Sequence, residues 1–493
     1  MMKSAVVPSV ILSGLFALAC GQGIISASGG GDDQSKAQLA PMPPQRAAES
    51  LAVPEGFEVT LFAGEPDVRQ PIAFAIDPKG RLWVAECYSY PDWSPQPPGE
   101  DRIVIFEDTN GDGRFDRRKV FFDTGTNLSG LALGFGGVWA CSTPNLVFIP
   151  DRDGDDVADS EPIIKLDGWS LEAEHNVFNG LNWGPDGWLY GCNGILSNSL
   201  VGKPGAPQRE RTAMNCGVWR YHPTREVFEA VAHGTTNPWG LDFDDYGEMF
   251  ITNCVIPHVY RVVPGAHFQR MFGQDYNPYL FGLIGSVADH VHWDTVEAWS
   301  DIRALGVTPT TDRAGGGHAH AGGMIYLGDN WPDRYRGSLF LSNIHGRRVN
   351  HDTLERAGAR YVARHQKDFL LAKDGWFRGL ELKYGPDGGV YLTDWSDTGE
   401  CHEADADGAH RENGRIYKIT FGEPRPVVVD LSQSDNAELV GYQTHKNDWY
   451  VRTARRLLQE RAAAGHDMSA ARVALQRLFE ARPETTRKLR ALW

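Results

Sequence analysis

One hairpin pattern recurs six times along the chain, and that recurrence constrains the fold more than any other feature. It reads IAFAIDPKGRLWVAE at 72–86, LALGFGGVWAC at 131–141 and GLNWGPDGWLYGC at 180–192. It returns as GLDFDDYGEMFITN at 240–253, GMIYLGDNWPDRYRGSLFLSN at 323–343 with an enlarged turn, and GLELKYGPDGGVYLTDW at 379–395. Each copy alternates with period two on either side of a tight glycine turn, so each is a pair of antiparallel strands. One hairpin cannot bury its apolar face alone, whereas copies repeated about an axis can. The pattern predicts an all-β, six-bladed β-propeller.

A ring of blades must pair its two ends, because an open ring leaves exposed strand edges. GFEVTLFAG at 56–64 and GRIYKITFG at 414–422 stand at opposite ends of the repeats and are expected to share one blade. The propeller is placed at 51–425. Beyond it, NDWYVRTARRLLQERAAAG and SAARVALQRLFEAR switch to helical spacing, with Asn447-Asp448 as a cap. Leu457, Leu458, Val473, Leu475, Leu478 and Phe479 form helical stripes that need a covering layer. A third helical start, ETTRKLRALW, stops at Trp493 without a cap. A short all-α segment over 436–493 is expected, open at its end and continuing in a longer chain. On this reading protease digests the region after residue 430 readily while the propeller resists.

The N-terminus reads as an address. Lys3 precedes an apolar stretch from Ala5 to Ala19 that is too short to span a bilayer. Residues 1–20 are therefore a signal peptide; Cys20 after Ala19 resembles a lipoprotein cleavage site, and simple cleavage leaving a free Cys20 is the alternative. Residues 21–50 are rich in Gly, Ser, Gln and Pro and read as a flexible linker. The expected location is periplasmic or cell-surface, with membrane contact only through an N-terminal lipid. Export allows Cys87, Cys141, Cys192, Cys216, Cys254 and Cys401 to form up to three disulfides; buried thiols are the other reading. No CxxC is present, so this chain has no haem-attachment motif. A net charge of −16 opposes phosphate attraction and argues against nucleic-acid binding.

Registering the blades on their turn glycines locates a ring of polar residues at the start of each inner strand. Gly80, Gly137, Gly247 and Gly388 give Gln70, Asn127, Asn237 and Arg378 at one common offset. Blade three has Val177 there, flanked by His175 and Asn179, and blade five has His318 and His320. Convergent polar groups in a concave mouth are where a ligand is expected; a solvated channel is the plainer alternative. His175 is the candidate general base, oriented by Glu172 or Glu174. Arg378 offers a bidentate fork for a carboxylate. His345, Arg347 and Arg348, in NIHGRRV, either add cationic contacts or form an ordinary exposed turn.

The segments EHNVFNGLNWGPDGWLYG, HGTTNPWGLDFD, GGGHAHAGG and WFRGLELKYGPDGGVYLTDW resemble the glucose/sorbosone dehydrogenase superfamily of quinoprotein propellers. Within it, residues 50–422 resemble the N-terminal domain of the planctomycete-type membrane-bound dehydrogenases, and the helical segment resembles the HEAT-like repeats that follow. The resemblance implies a dehydrogenase that oxidises a sugar or other alcohol and passes electrons to an external acceptor such as a cytochrome c. It implies pyrroloquinoline quinone (PQQ) on the axis with Ca²⁺ beside it and His175 and Arg378 as catalytic residues; the ring residues Gln70, Asn127, Asn237, His318 and His320, with His345 and Arg347, are then expected around the cofactor. The chain departs from the pattern at Thr236-Asn237-Pro238, where the family has Arg-Asn-Pro. It departs again at Asn193-Gly194, in place of Gly-Asp, and at Trp376 beside Arg378.

Two acidic loops have metal-ligand spacing. Asp108, Asn110, Asp112 and Asp116 alternate in DTNGDGRFD, and Asp151, Asp153, Asp155 and Asp159 repeat this in DRDGDDVAD. Alternate oxygens on a tight loop suit Ca²⁺; solvated acidic turns are the alternative. Two other functions fit the same fold: a Ca²⁺-dependent lactonase, and a non-catalytic propeller that recognises a ligand or protein.

Overall fold

The computed structural model describes residues 40–91, 99–172, 174–255, 257–298, 306–399, 410–481 and 484–493. The expected signal peptide, Cys20, most of the expected linker and Cys401 lie outside the described residues.

The six hairpins build six sheets around one axis. Four of their turn glycines, Gly80, Gly187, Gly247 and Gly388, have φ between 74° and 81°, a region that a residue with a Cβ adopts only at a cost. The inner strands are Pro71–Ile76, Leu128–Leu133, Asn179–Trp183, Asn237–Phe243, His320–Ile325 and Gly379–Tyr384. Each pairs with the second strand of its own blade. Blades one and two have four strands each.

Among the described residues blade four has three strands, Asn237–Phe243, Met249–Cys254 and Val259–Val262. The strand that follows them, Ala266–Arg270, runs parallel to the outer strand of blade three, Val227–Thr235, and joins that sheet instead. Blade six is closed as the sequence predicts. Phe57–Gly64 pairs antiparallel with Arg415–Phe421, from Phe57 opposite Phe421 to Gly64 opposite Arg415. That pairing removes both free edges of the ring.

Two differences from the sequence reading lie outside the blades. The linker ends early, because Pro44–Ser50 is a helix and Met42 accepts a hydrogen bond from the buried Arg415 guanidinium. The C-terminal helices are also not a free appendage. Asp448–Ala463 is capped by Asn447, whose side chain accepts from the Trp449 N–H, and it lies across one mouth of the ring. Arg456 donates to Leu133 O at 2.7 Å, Glu460 accepts from Phe135 N at 3.0 Å, and Asn447 donates to Gly385 O at 3.0 Å. Leu457 and Leu458 are buried, whereas Val473 and Phe479 on Ser469–Ala481 stay exposed. Among the described residues no helix is long and apolar enough to cross a membrane. The five described cysteines are buried free thiols, so no disulfide forms among them.

Candidate functional site

The helix that closes one mouth leaves a cavity of about 150 Å³ on the axis, lined by the inner strands and floored by Trp449, Arg452, Thr453 and Arg456. The polar ring stands at the opposite ends of the inner strands. A structural tie recurs there. In five of the six blades a residue at or next to the end of the second strand reaches back to the main chain that leads into the inner strand of its own blade.

In blade one, Glu86 accepts from Arg69 N at 2.9 Å. In blade two, Ser142 donates to Thr126 O at 2.6 Å. In blade four, Asn253 accepts from Thr236 N and Asn237 N at 3.1 and 2.9 Å. In blade five, Asn343 donates to Gly317 O at 3.0 Å, and in blade six Asp394 accepts from Arg378 N at 2.8 Å. Burial pushes Asp394 up to about 6, against the opposing pull of Arg415.

Blade three breaks the rule. Its equivalent residue, Asn193, is 0% exposed, and neither of its amide atoms has a hydrogen-bond partner. A buried amide left unpaired costs about 1–3 kcal/mol. The residues around it are those that the sequence singled out. His175 lies on the turn Glu174–Asn176, with Asn176 Nδ2 2.9 Å from its Nε2. Asn237 Nδ2 donates to His175 O at 3.3 Å, while Asn237 Oδ1 is buried and unpaired. Gly194 fits between them; a methyl there would stand 2.7 Å from Asn237 Oδ1 and 2.8 Å from Asn176 Oδ1. The Asn176 amide is thus one contact to the His175 ring. Glu172 is exposed, its main-chain N–H donating to Ser170 Oγ.

The rest of the ring divides into two kinds. Gln70 and Asn179 resemble Asn237: each amide NH₂ is bound, to Asp397 and His410 O for Gln70 and to Val177 O and Pro238 O for Asn179, while each amide oxygen is buried and unpaired. Asn127 turns to its own blade and donates to Thr143 O at 2.9 Å. Arg378 is committed as well. Its guanidinium donates to the carbonyls of Gly375, Phe377, Thr398 and Gly399, each at 2.9 Å. The fork expected for a carboxylate instead holds the loop above blade six, because several carbonyls of that tight loop point inward and need donors.

His318 packs against His345 with ring centroids 4.5 Å apart, and both are buried, so NIHGRRV is not the exposed turn of the plainer reading. Only Arg347 of that motif is exposed; Arg348 is buried and paired with Asp368 at 2.7 Å. His320 faces away from the axis, with Nε2 2.9 Å from His292 Nδ1. Burial, then the neighbouring His258, drives His320 well below the usual histidine value. Behind it lies a group of histidines around Asp352 that sequence reasoning missed. Its one local signal is the pair His290 and His292 in DHVHW.

The acidic loops differ from each other. In the first, Asp108 accepts from Gly111 N and Gly113 N, Asp116 accepts from Thr109, and Asn110 donates to Asp116. In the second, Asp151, Asp153 and Asp155 bring oxygens within 4.8 Å of one another. Asp159 instead accepts from Arg152 N at 3.0 Å.

Residues 43–422 match the model of a family described as a domain of unknown function, DUF7133. The chain belongs to the DUF7133 family. No curated protein matches the sequence. Solved structures with a similar fold include a putative oxidoreductase (glucose dehydrogenase) from Thermus thermophilus, at 19% identity and a TM-score of 0.46 over 74% of this chain and 99% of that one. The PQQ-bound aldose sugar dehydrogenase of Streptomyces coelicolor has 17% identity and a TM-score of 0.47, covering 75% and 100%. A putative gluconolactonase has 14% identity and a TM-score of 0.40, covering 77% and 96%. At these identities the likeness of the DUF7133 chain to them is one of fold.

Proposed function

We propose that this DUF7133 propeller is an exported dehydrogenase that binds a sugar or other polyol at the rim of blades three and four. The observation that carries the reading is Asn193, buried and unpaired in the one blade that lacks the recurring tie. The unpaired oxygens of Gln70, Asn179 and Asn237 add acceptors, and acceptors suit the hydroxyl donors of a neutral polyol. His175 is the base: a neutral imidazole takes the hydroxyl proton near pH 7 at little cost. A two-electron acceptor would take the hydride from the same carbon, and its electrons would then pass singly to an external carrier such as a cytochrome.

PQQ is a tricarboxylate, and it requires free cations. The guanidinium of Arg378 is spent on main-chain carbonyls, so it does not offer that cofactor the fork the sequence suggests, and no step is drawn through it. This commitment favours a second reading, a propeller that binds a polyol without oxidising it. Dye-linked oxidation of aldoses and polyols by the full chain, with and without added PQQ and Ca²⁺, separates the two. Dye reduction supports the dehydrogenase. Calorimetric binding of the same sugars without dye reduction supports the second reading, and neither binding nor turnover contradicts both.

A further inference from the structure

Away from the axis, between blades four and five, four side chains from three separate stretches of chain aim their polar atoms at one point. His290 Nε2, His292 Nε2, His365 Nδ1 and Asp352 Oδ1 are the four atoms. The distances are 3.1 Å between His290 and His292, 3.3 Å between His292 and His365, 3.3 Å between His290 and Asp352, 3.5 Å between His365 and Asp352, and 3.9 Å between His292 and Asp352. A tetrahedron with metal–ligand bonds of about 2.0–2.1 Å has edges of about 3.3 Å. Hydrogen bonding accounts for the imidazole contacts of His292 with His290 and His365, but not for the place of the carboxylate. Asp352 Oδ1 is buried and makes no hydrogen bond, although three imidazole nitrogens surround it.

The outer contacts have the same logic. Metal-bound histidines use their second nitrogen to hold a carboxylate, a carbonyl or another polar group that fixes the ring. His292 Nδ1 meets His320 Nε2 at 2.9 Å, His290 Nδ1 meets Asp289 Oδ1 at 3.0 Å, and the second oxygen of Asp352 meets His258 Nε2 at 2.8 Å. His292 and Asp352 are both 0% exposed. Three imidazoles and one carboxylate suit a divalent transition ion of the zinc class, not Ca²⁺.

We propose that these four residues form a closed, structural site for a zinc-class divalent ion. Its place explains what it holds. Blade four lacks an outer strand, and the stretch 284–293 bridges the gap: Val287 N donates to Val259 O at 3.2 Å, and Asp289 N donates to Ala363 O at 3.1 Å. An ion bound by His290 and His292 on that stretch, and by Asp352 and His365 on blade five, pins the stretch against blade five. Through His320 it also fixes the start of that blade's inner strand at the polar ring.

Cobalt is the probe. The full chain, stripped with a chelator, is titrated with Co²⁺ and then with Zn²⁺. One equivalent of Co²⁺ is expected to give the intense visible bands of four-coordinate cobalt, bleached by Zn²⁺, and the stripped chain is expected to melt lower and to be cut within 284–298. His365→Ala, at a partly exposed position, and Asp352→Asn should each weaken Co²⁺ at least tenfold, and His320→Ala about 10–100-fold as an outer contact. Absence of the four-coordinate bands at saturating Co²⁺ would overturn the proposal. Wild-type affinity in His365→Ala would overturn it too, and that variant carries the test if Asp352→Asn does not fold.

Discussion

Arg452, on the helix that floors the axial cavity, donates to Asp242 on the inner strand of blade four at 2.6 Å, across 210 positions of sequence. The same guanidinium donates to Phe243 O and to Asp448, both at 2.7 Å. Asp242 in turn accepts from Ile325 N in blade five at 2.8 Å, so one arginine ties the C-terminal helix to two adjacent blades. Arg452 is part-buried and Asp242 buried, and removing the arginine leaves the carboxylates uncompensated. Arg452→Met is expected to cost about 3 kcal/mol in chemical denaturation, and a double-mutant cycle with Asp242→Asn should show strong coupling. Additive effects of the two changes would contradict the tie.

That tie also changes the expectation for proteolysis. Leu439, Val451 and Ala454 are completely buried, and local opening of such a segment costs nearly as much as global unfolding. Residues 436–463 should therefore resist limited proteolysis together with the propeller. Release of this segment before the propeller is cut would show that the helix is not docked in solution.

Asn193 and Asn253 occupy equivalent places and should respond in opposite ways. Asn253→Leu strands the Thr236 and Asn237 N–H groups and is expected to destabilise by about 1–3 kcal/mol. Asn193→Leu removes an amide that has no partner, so thermal stability should stay level or rise while sugar binding is lost. Equal destabilisation by the two changes would mean that Asn193 is tied like the others.

Asp394 gives a sign to the pH dependence. Its folded value of about 6 lies above the unfolded ~3.9, so between pH 4 and 6 the folded state holds the extra proton. Stability from this group is therefore greatest below about pH 4 and falls as pH rises through 6, by about 2–3 kcal/mol. Asp394→Asn should remove that slope from urea-denaturation midpoints measured across the window. Asp448 acts oppositely. It is buried, but Arg452 and Arg490 overcome the burial and hold it at about 2, so its contribution is full above the unfolded ~3.9 and is lost as pH falls from there through about 2.

The blades, their closure and the position of the ring were legible in the sequence because each rests on local information. Period-two alternation, a glycine turn and a constant inner-strand length fix where Gln70, Asn127 and Asn237 lie. What their side chains do was not legible. Arg378 looks like a free fork in sequence, and only the fold shows four carbonyls around it. The cluster of His290, His292, Asp352 and His365 comes from a bridging stretch and two outer strands, brought together by a blade that gives its outer strand away. The covered stripe at Leu457 and Leu458 and the exposed Val473 share one helical pattern, and docking alone distinguishes them.

The central claim is that His175 works as a base beside Asn193, and the kinetics of one substitution test it most directly. In dye-linked oxidation of the best sugar or polyol substrate, His175→Gln is predicted to lower kcat by about 10²–10⁴-fold, the usual worth of a positioned base. KM should change by less than about threefold, since the hydroxyl is held by the amides, not by the ring. A His175→Gln enzyme that turns over at the wild-type rate would contradict the account.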